Sequence, residues 1–298
     1  MNYFPISYIE PVFRPPSEAK SLILQVTNGC SYNKCTFCDM YTSEQKKFRP
    51  KSIEDIEKEV KAVASKWPGM RRFFLADGDA MTLSFRRLKE ILECIGKYFP
   101  NLERVTAYCL PRNLKNKSQK ELEQLRALGL TMVYVGCESG DDAVLSFVDK
   151  GESFESSKEA LLKLKAAGIK SSVMILNGLG GRQFSEQHAI NSAKLMNETQ
   201  PEYVSTLVVS FPMGDERFRA GFNGQFEPLQ QSELFREIRL LVENLELENT
   251  VFRSDHASNY LVLKGTLGAD KGAMLAQINK AISEPSNVFL RQEWQRGL

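Results

Sequence analysis

Six apolar, β-branched runs alternate with amphipathic helical stretches along this chain, and that alternation restricts its fold more than any other feature. The predicted strands cover 22–27, 72–76, 104–110, 132–137, 172–176 and 203–211. Ser52, Ser84 and Ser118 stand as N-caps before "IEDIEKEVKAVASKW", "FRRLKEILECIGKYF" and "QKELEQLRALG", and Gly129 is placed to stop the last of these. Three more helical patterns span 154–167, 185–199 and 231–245. Strands that each lead into a helix predict an α/β fold with parallel strands and outer helices, either barrel-like or doubly wound. In both, ligands bind at the carboxyl ends of the strands. That rule directs attention to five segments in turn: Cys30 to Cys38, "LADGDAM", Cys109, "GCESG" and "LNGLGG".

With 298 residues and 42% hydrophobic content, the chain can bury one large core with a small appendage. The net charge of +2 gives no broad electrostatic case for nucleic acid or anionic lipid. Lys46, Lys47, Arg49 and Lys51 read as a solvated basic loop. The stretch "MNYFPISYIEPVFRPPSEAK" has no apolar leader, and no run approaches the ~18 apolar residues of a membrane span. A cytoplasmic protein without a membrane partner is expected. In a reducing compartment, a cysteine cluster indicates a metal or catalytic site before a disulfide framework.

Cys30, Cys35 and Cys38 fall within nine positions of "TNGCSYNKCTFCDMY". A structural zinc site takes four protein ligands, and here the fourth would have to come from one of only two histidines or from a distant cysteine. Three thiolates with one open position suit a cubane cluster whose fourth iron binds something other than protein sulfur. An open coordination position implies chemistry.

"CSYNKCTFC" resembles the cluster loop of the radical S-adenosylmethionine (radical SAM) superfamily, in which three cysteines hold a [4Fe–4S] cluster and SAM chelates the fourth iron. The four residues between Cys30 and Cys35 exceed the usual spacing by one, whereas Phe37 before the last cysteine is as the family has it. The resemblance covers residues 16–245 and implies a partial (β/α)6 TIM-like barrel, preceded by a lead-in at 1–15 and followed by a C-terminal extension at 246–298. "ADGDA" resembles the family's glycine-rich turn that receives the methionine amino group, with Gly78 and Asp79 at the matching positions, although Asp79 departs from the usual residue. "VGCESGDDAVLSFVDKG" resembles the fourth-strand segment of B12-dependent and coproporphyrinogen-oxidase-like members. There Glu138 would meet the ribose hydroxyls or the ammonium of SAM, a choice the sequence leaves open. "LNGLGG", with Gly178 and Gly180, resembles the turn near adenine, and Phe37 would wall and shield the cluster. The resemblance further implies an external electron donor such as flavodoxin or ferredoxin, and an unidentified substrate.

Candidates for substrate chemistry are fewer. Cys109 and Cys137 end neighbouring predicted strands, where either core packing or hydrogen-atom donation would fit. Cys94 reads as a buried small hydrophobe inside a helix. "RSDHASNYL" brings His256 and Tyr260 into a polar segment that reads equally as substrate contact or as a satisfied corner. His188 reads as a surface or boundary residue. The alternative to catalysis is a cluster-containing binding protein or a haem or metal chaperone on the same fold. Anaerobic reconstitution is expected to give about four irons and four sulfides per chain, and about eight irons, or tight zinc without iron, would overturn the assignment. Replacing any one of Cys30, Cys35 and Cys38 by Ala should abolish the cluster absorbance.

Overall fold

The computed structural model describes residues 5–296, so the first four residues of the lead-in and the last two of the C-terminal extension lie outside the described residues. The architecture is α/β with mostly parallel strands. The chain divides into two compact units. The first comprises the residues up to Asn33, Met40–Val135 and Leu162–Ser171. The second comprises Lys34–Asp39, Gly136–Leu161 and the residues from Ser172 onward.

In the first unit, β1 (Leu22–Gln25), β4 (Arg72–Ala76), β5 (Arg104–Cys109) and the start of β6 (Leu130–Glu138) pair in parallel. The register sets Leu22 beside Phe73, Phe73 beside Val105 and Thr106 beside Met132. Phe73, Phe74, Leu75 and Ala76 are all buried, because a parallel strand covered on both faces needs a continuous apolar run. Helices α1 (Ile53–Lys66), α2 (Phe85–Tyr98) and α3 (Gln119–Ala127) start at the expected serines. Ser52, Ser84 and Ser118 accept hydrogen bonds from the amides of Asp55, Arg87 and Glu121, satisfying donors that the helix leaves open. Ile56, Val60 and Val63 form the buried stripe of α1 at helical spacing. A small antiparallel pair, β2 (Thr27–Asn28) with β3 (Arg49–Pro50), closes the base of the cysteine loop. The lead-in lies along β1: the Tyr8 hydroxyl donates to the Ile23 carbonyl, and Ile9 exchanges hydrogen bonds with Gln25.

The second unit contains the end of β6, then α4 (Asp142–Phe147) and α5 (Phe154–Ala166), whose last turn belongs to the first unit. There follow β7 (Lys170–Asn177), α6 (Gly181–Thr199), β8 (Tyr203–Val208), α7 (Glu216–Gly221), α8 (Gln231–Asn244), β9 (Val251–Ser254), β10 (Leu263–Thr266) and α9 (Lys271–Ser283). Strands β7, β8 and β9 are parallel, and β10 returns antiparallel to β9. Beyond the six core strands, β9 is a further parallel strand and β10 an antiparallel edge strand. Pairing in β8 ends at Val208, three residues short of the expected end. There Asn259 accepts from the Val208 amide and donates to the Thr206 carbonyl, and Pro212 and Gly214 then turn the chain.

Helix α7 is not among the helices expected from the sequence pattern. Phe218, Phe222 and Phe226 are spaced four apart and pack with Val144, Val148 and Leu179. The Phe147 and Phe222 rings stack with centroids 5.0 Å apart. This cluster also takes in Phe37 of the cysteine loop. No described helix is long and apolar enough to cross a membrane.

Gly221 ends α7 with its missing Cβ position 2.2 Å from the Phe147 carbonyl oxygen. Helix propensity alone would make Gly221→Ala stabilising by about 1 kcal/mol. The backbone clash opposes this, and a net loss of roughly 1–3 kcal/mol is expected in urea titrations.

Candidate functional site

Two carboxylates hold the backbone on either side of Cys30. The Gly29 amide donates to Asp77 Oδ2 at 3.0 Å, and the Ser31 amide donates to Asp79 Oδ1 at 2.8 Å. Between the two carboxylates lies Gly78, where an added Cβ would stand 2.9 Å from Cys30 Cβ and 2.8 Å from the Tyr41 ring. Only glycine allows this approach of the turn after β4 to the cysteine loop. Asp79 is buried and also accepts from the Ser31 hydroxyl and from Asn113 Nδ2. Burial pushes its carboxyl up, while the Ser31 and Asn113 hydrogen bonds and the Arg112 charge pull the other way. Lys117, whose charge burial disfavours, donates to the Met81 and Asn113 carbonyls and ties this turn to the segment after β5. The Arg112 guanidinium stacks on the Tyr32 ring at 3.8 Å.

Lys46 is a correction. The expected solvated lysine is fully buried, with Nζ 2.7 Å from Asp77 Oδ2 and 2.6 Å from the Ile9 carbonyl. A basic run carries no signal of burial when its acidic partner lies 31 residues away.

In the second unit, the Cys38 amide donates to the Cys35 carbonyl at 3.3 Å, and the Thr36 amide donates to the Val148 carbonyl at 2.9 Å. Arg217 donates to the Cys38 carbonyl and pairs with Asp39. Glu138, at the end of β6, has a left-handed φ of 67°, which costs a non-glycine residue roughly 1–2 kcal/mol. Its carboxylate pairs with buried Lys150 at 3.1 Å. A Cβ on Gly136 would fall 2.2 Å from Glu138 Oε1, so this glycine makes room for the carboxylate. The Lys150 ammonium also lies 5.6 Å from the centre of the Phe37 ring. Burial works against charge on Lys150, but Glu138 and the Cys35 sulfur outweigh it and hold the group above the ordinary lysine range. In the sequence, the place of Lys150 one turn past α4 and beside a glycine gives no sign that it reaches back to Glu138.

The "LNGLGG" turn is held from α8. Gly178, with φ of 86°, donates its amide to Glu237 at 2.6 Å, and the Ser185 hydroxyl donates to the same carboxyl. Gly180 packs against Phe184 and Val144 at the start of α6. His188 is buried instead of lying at the surface or boundary. It bridges the Ser139 hydroxyl at 2.7 Å and the Leu176 carbonyl at 3.0 Å, because its position on α6 faces the strands. Burial lowers its pKa to about 4, so it works as a neutral hydrogen-bonding strut.

The remaining cysteines differ in their surroundings. The Cys109 sulfur is buried and meets the Leu110 carbonyl at 3.2 Å. Cys137 is fully buried beside Ser157 of α5, and burial pushes its thiol up to about 12. Cys94 is only half-buried, near Glu57 and Lys97. Tyr260 bonds to Glu293 and stacks under the Arg296 guanidinium at 3.8 Å. His256 bonds to Ser258, while Arg291 donates to the His256 and Asn259 carbonyls. The C-terminal segment therefore braces this polar corner.

The sequence profile of the radical SAM superfamily matches residues 24–196. The chain belongs to the radical SAM superfamily. Its relatives include a protein of Methanocaldococcus jannaschii named as a candidate methylthiotransferase, 29% identical over 157 residues, which are 50% of this chain and 33% of that protein. Another is a tRNA uridine(34) acetyltransferase of Methanocaldococcus infernus, 27% identical over 141 residues, 45% of this chain and 26% of that protein. The match thus spans a third or less of these relatives' length. Among solved structures, coproporphyrinogen III oxidase (HemN) of Escherichia coli superposes with a TM-score of 0.58 at 16% identity, over 75% of this chain and 52% of that one. The methyltransferase TsrM of Kitasatospora setae, with cobalamin and a [4Fe–4S] cluster bound, gives 0.51 at 18% identity, over 62% and 36%. These likenesses are of fold: the partial TIM-like barrel of radical SAM proteins.

Radical SAM proteins carry a [4Fe–4S] cluster and SAM, and the residues of this chain fit both. None of the three cysteines is in a disulfide. The hydroxyl of Thr36, beside Cys35, is buried with no partner among the described residues, which suits a site completed by a bound group. Among the described residues no three His, Cys, Asp or Glu side chains gather around a single-ion position. A cubane does not require that, since each cysteine meets a different iron.

Burial raises the Glu237 carboxyl from the usual range to about 7. A carboxyl whose folded pKa is raised stabilises the fold when protonated, and this contribution is lost as pH rises from about 4.5 to about 7. Glu237→Gln can keep both contacts without the charge. Relative to the variant, the unmodified protein should lose up to about 3 kcal/mol of stability between pH 5 and pH 8. Parallel pH profiles would show that Glu237 ionises without cost.

Proposed function

We propose that this chain is a radical SAM enzyme that cleaves S-adenosylmethionine reductively and abstracts hydrogen from an organic substrate. The observation that carries this reading is the radical SAM profile over residues 24–196, coinciding with a three-cysteine loop anchored on both sides of Cys30. When bound and reduced, the cluster and SAM supply a 5′-deoxyadenosyl radical, the species that removes an unactivated hydrogen. An external one-electron donor such as flavodoxin or ferredoxin provides the reducing equivalent, in the cytoplasm.

The chain's own contribution is ligation, orientation and exclusion of water. Cys30, Cys35 and Cys38 would ligate three irons. Gly78 brings the backbone of its turn up to Cys30, and Asp79 holds the adjoining Ser31 peptide. Glu138 and Lys150 are opposite charges 3.1 Å apart, complementary to the ammonium and carboxylate of an amino acid group. Phe37 sets an apolar wall beside Cys38, backed by the phenylalanine cluster. Glu237 holds Gly178 in the turn where Gly178 and Gly180 would receive the adenine end. The relatives' names point to different substrates, so the substrate of this chain is to be read from label transfer into 5′-deoxyadenosine.

Reduced, reconstituted protein should form 5′-deoxyadenosine from SAM. Cluster and SAM binding without any cleavage would instead mark a binding protein or chaperone. Glu138→Gln should keep the cluster and weaken SAM binding by about 1–3 kcal/mol, measured by equilibrium dialysis. Unchanged affinity would place Glu138 outside the SAM site.

A further inference from the structure

One buried ion pair joins the two ends of the cysteine loop. Asp77 Oδ2 accepts from the Gly29 amide at 3.0 Å, from Gln25 Nε2 at 2.8 Å and from Lys46 Nζ at 2.7 Å. Gly29 immediately precedes Cys30, and Lys46 lies beyond Cys38 on the returning limb of the same loop. The two limbs also touch directly: a Cβ on Gly29, whose φ is 70°, would stand 1.9 Å from the Lys46 carbonyl oxygen. Asn28 Nδ2 donates to the Gln45 and Lys47 carbonyls on either side of Lys46. Both charged side chains are 0% exposed.

Such a pair is a weak source of stability. Removing two charges from water costs several kcal/mol per ion, and apolar side chains of similar size often serve stability as well or better. What apolar side chains cannot do is accept the Gly29 amide while fixing the returning limb through a second charge. We propose that Asp77 and Lys46 are positioning residues for the cluster, setting the Cys30 thiolate by clamping both limbs of the loop to the end of β4. This rests on the radical SAM reading above. The pair acts through the Gly29 peptide and touches neither cluster nor SAM.

The test uses the full chain with Lys46→Met and Asp77→Leu combined, Gln25→Met as a milder loss of one donor to Asp77, and Leu125→Ala in α3 as a destabilised control remote from the loop. Hydrogen exchange of the peptide covering residues 26–35 is followed in the metal-free protein. Iron release to a chelator and the EPR spectrum of the reduced cluster are followed in the reconstituted protein. The paired variant should retain cooperative unfolding, exchange faster across 26–35 than the control, and release iron roughly 10–100-fold faster than the control with an altered EPR signal. Gln25→Met should fall between it and the unmodified protein, and carries the test alone if the paired variant does not fold. Iron release and EPR signals equal to those of the control would overturn the proposal, and faster exchange with unchanged iron release would reduce the pair to a brace. Failure of the unmodified protein to take up iron would instead remove the radical SAM function, with the exchange data still reporting whether the clamp exists.

Discussion

The cysteine loop is held by two carboxylates, and its order depends on them. Asp77 and Asp79 accept the amides on either side of Cys30, with Gly78 between them pressed against the cysteine. A loop rich in polar residues has many conformations of similar energy, and fixing one residue's backbone costs about 1–2 kcal/mol of entropy. Charge-assisted hydrogen bonds in a buried setting can outweigh that cost where surface contacts cannot. The placement of β4 beside β1 is what makes this possible, since the parallel register delivers Ala76 and the turn after it next to Gln25.

Electrostatics divide the work differently in the second unit. Lys150 is buried beside an acidic partner, and burial by itself would lower its affinity for the proton. Glu138 keeps it charged, and Gly136 clears the space for the pair. Glu237 and His188 hold neighbouring turns, and neither needs to be charged to do so.

Much of the fold and the three-cysteine loop was legible in the sequence, because both rest on local patterns. Ser52, Ser84 and Ser118 start helices through bonds to residues three positions on, and a strand buried on both faces shows itself as an apolar run. Helix α7 is six residues long and contains only Phe218 of the phenylalanine set, too short a stretch to show a helical period in the sequence. Lys46 and His188 were misplaced as solvent-facing because their partners, Asp77 and Ser139, are 31 and 49 residues away.

The sequence by itself determined the alternating α/β architecture, the helix starts and the three-cysteine loop, since each follows from propensity, capping or spacing over a few residues. Tertiary structure alone decided which charges would be buried and with whom. Asp77 and Lys46, or Glu138 and Lys150, look in sequence like any acidic and basic residues. Their pairing depends on strand register and on the path of the returning loop. The energy of a buried pair is set by the water that packing excludes, a property of the assembled core.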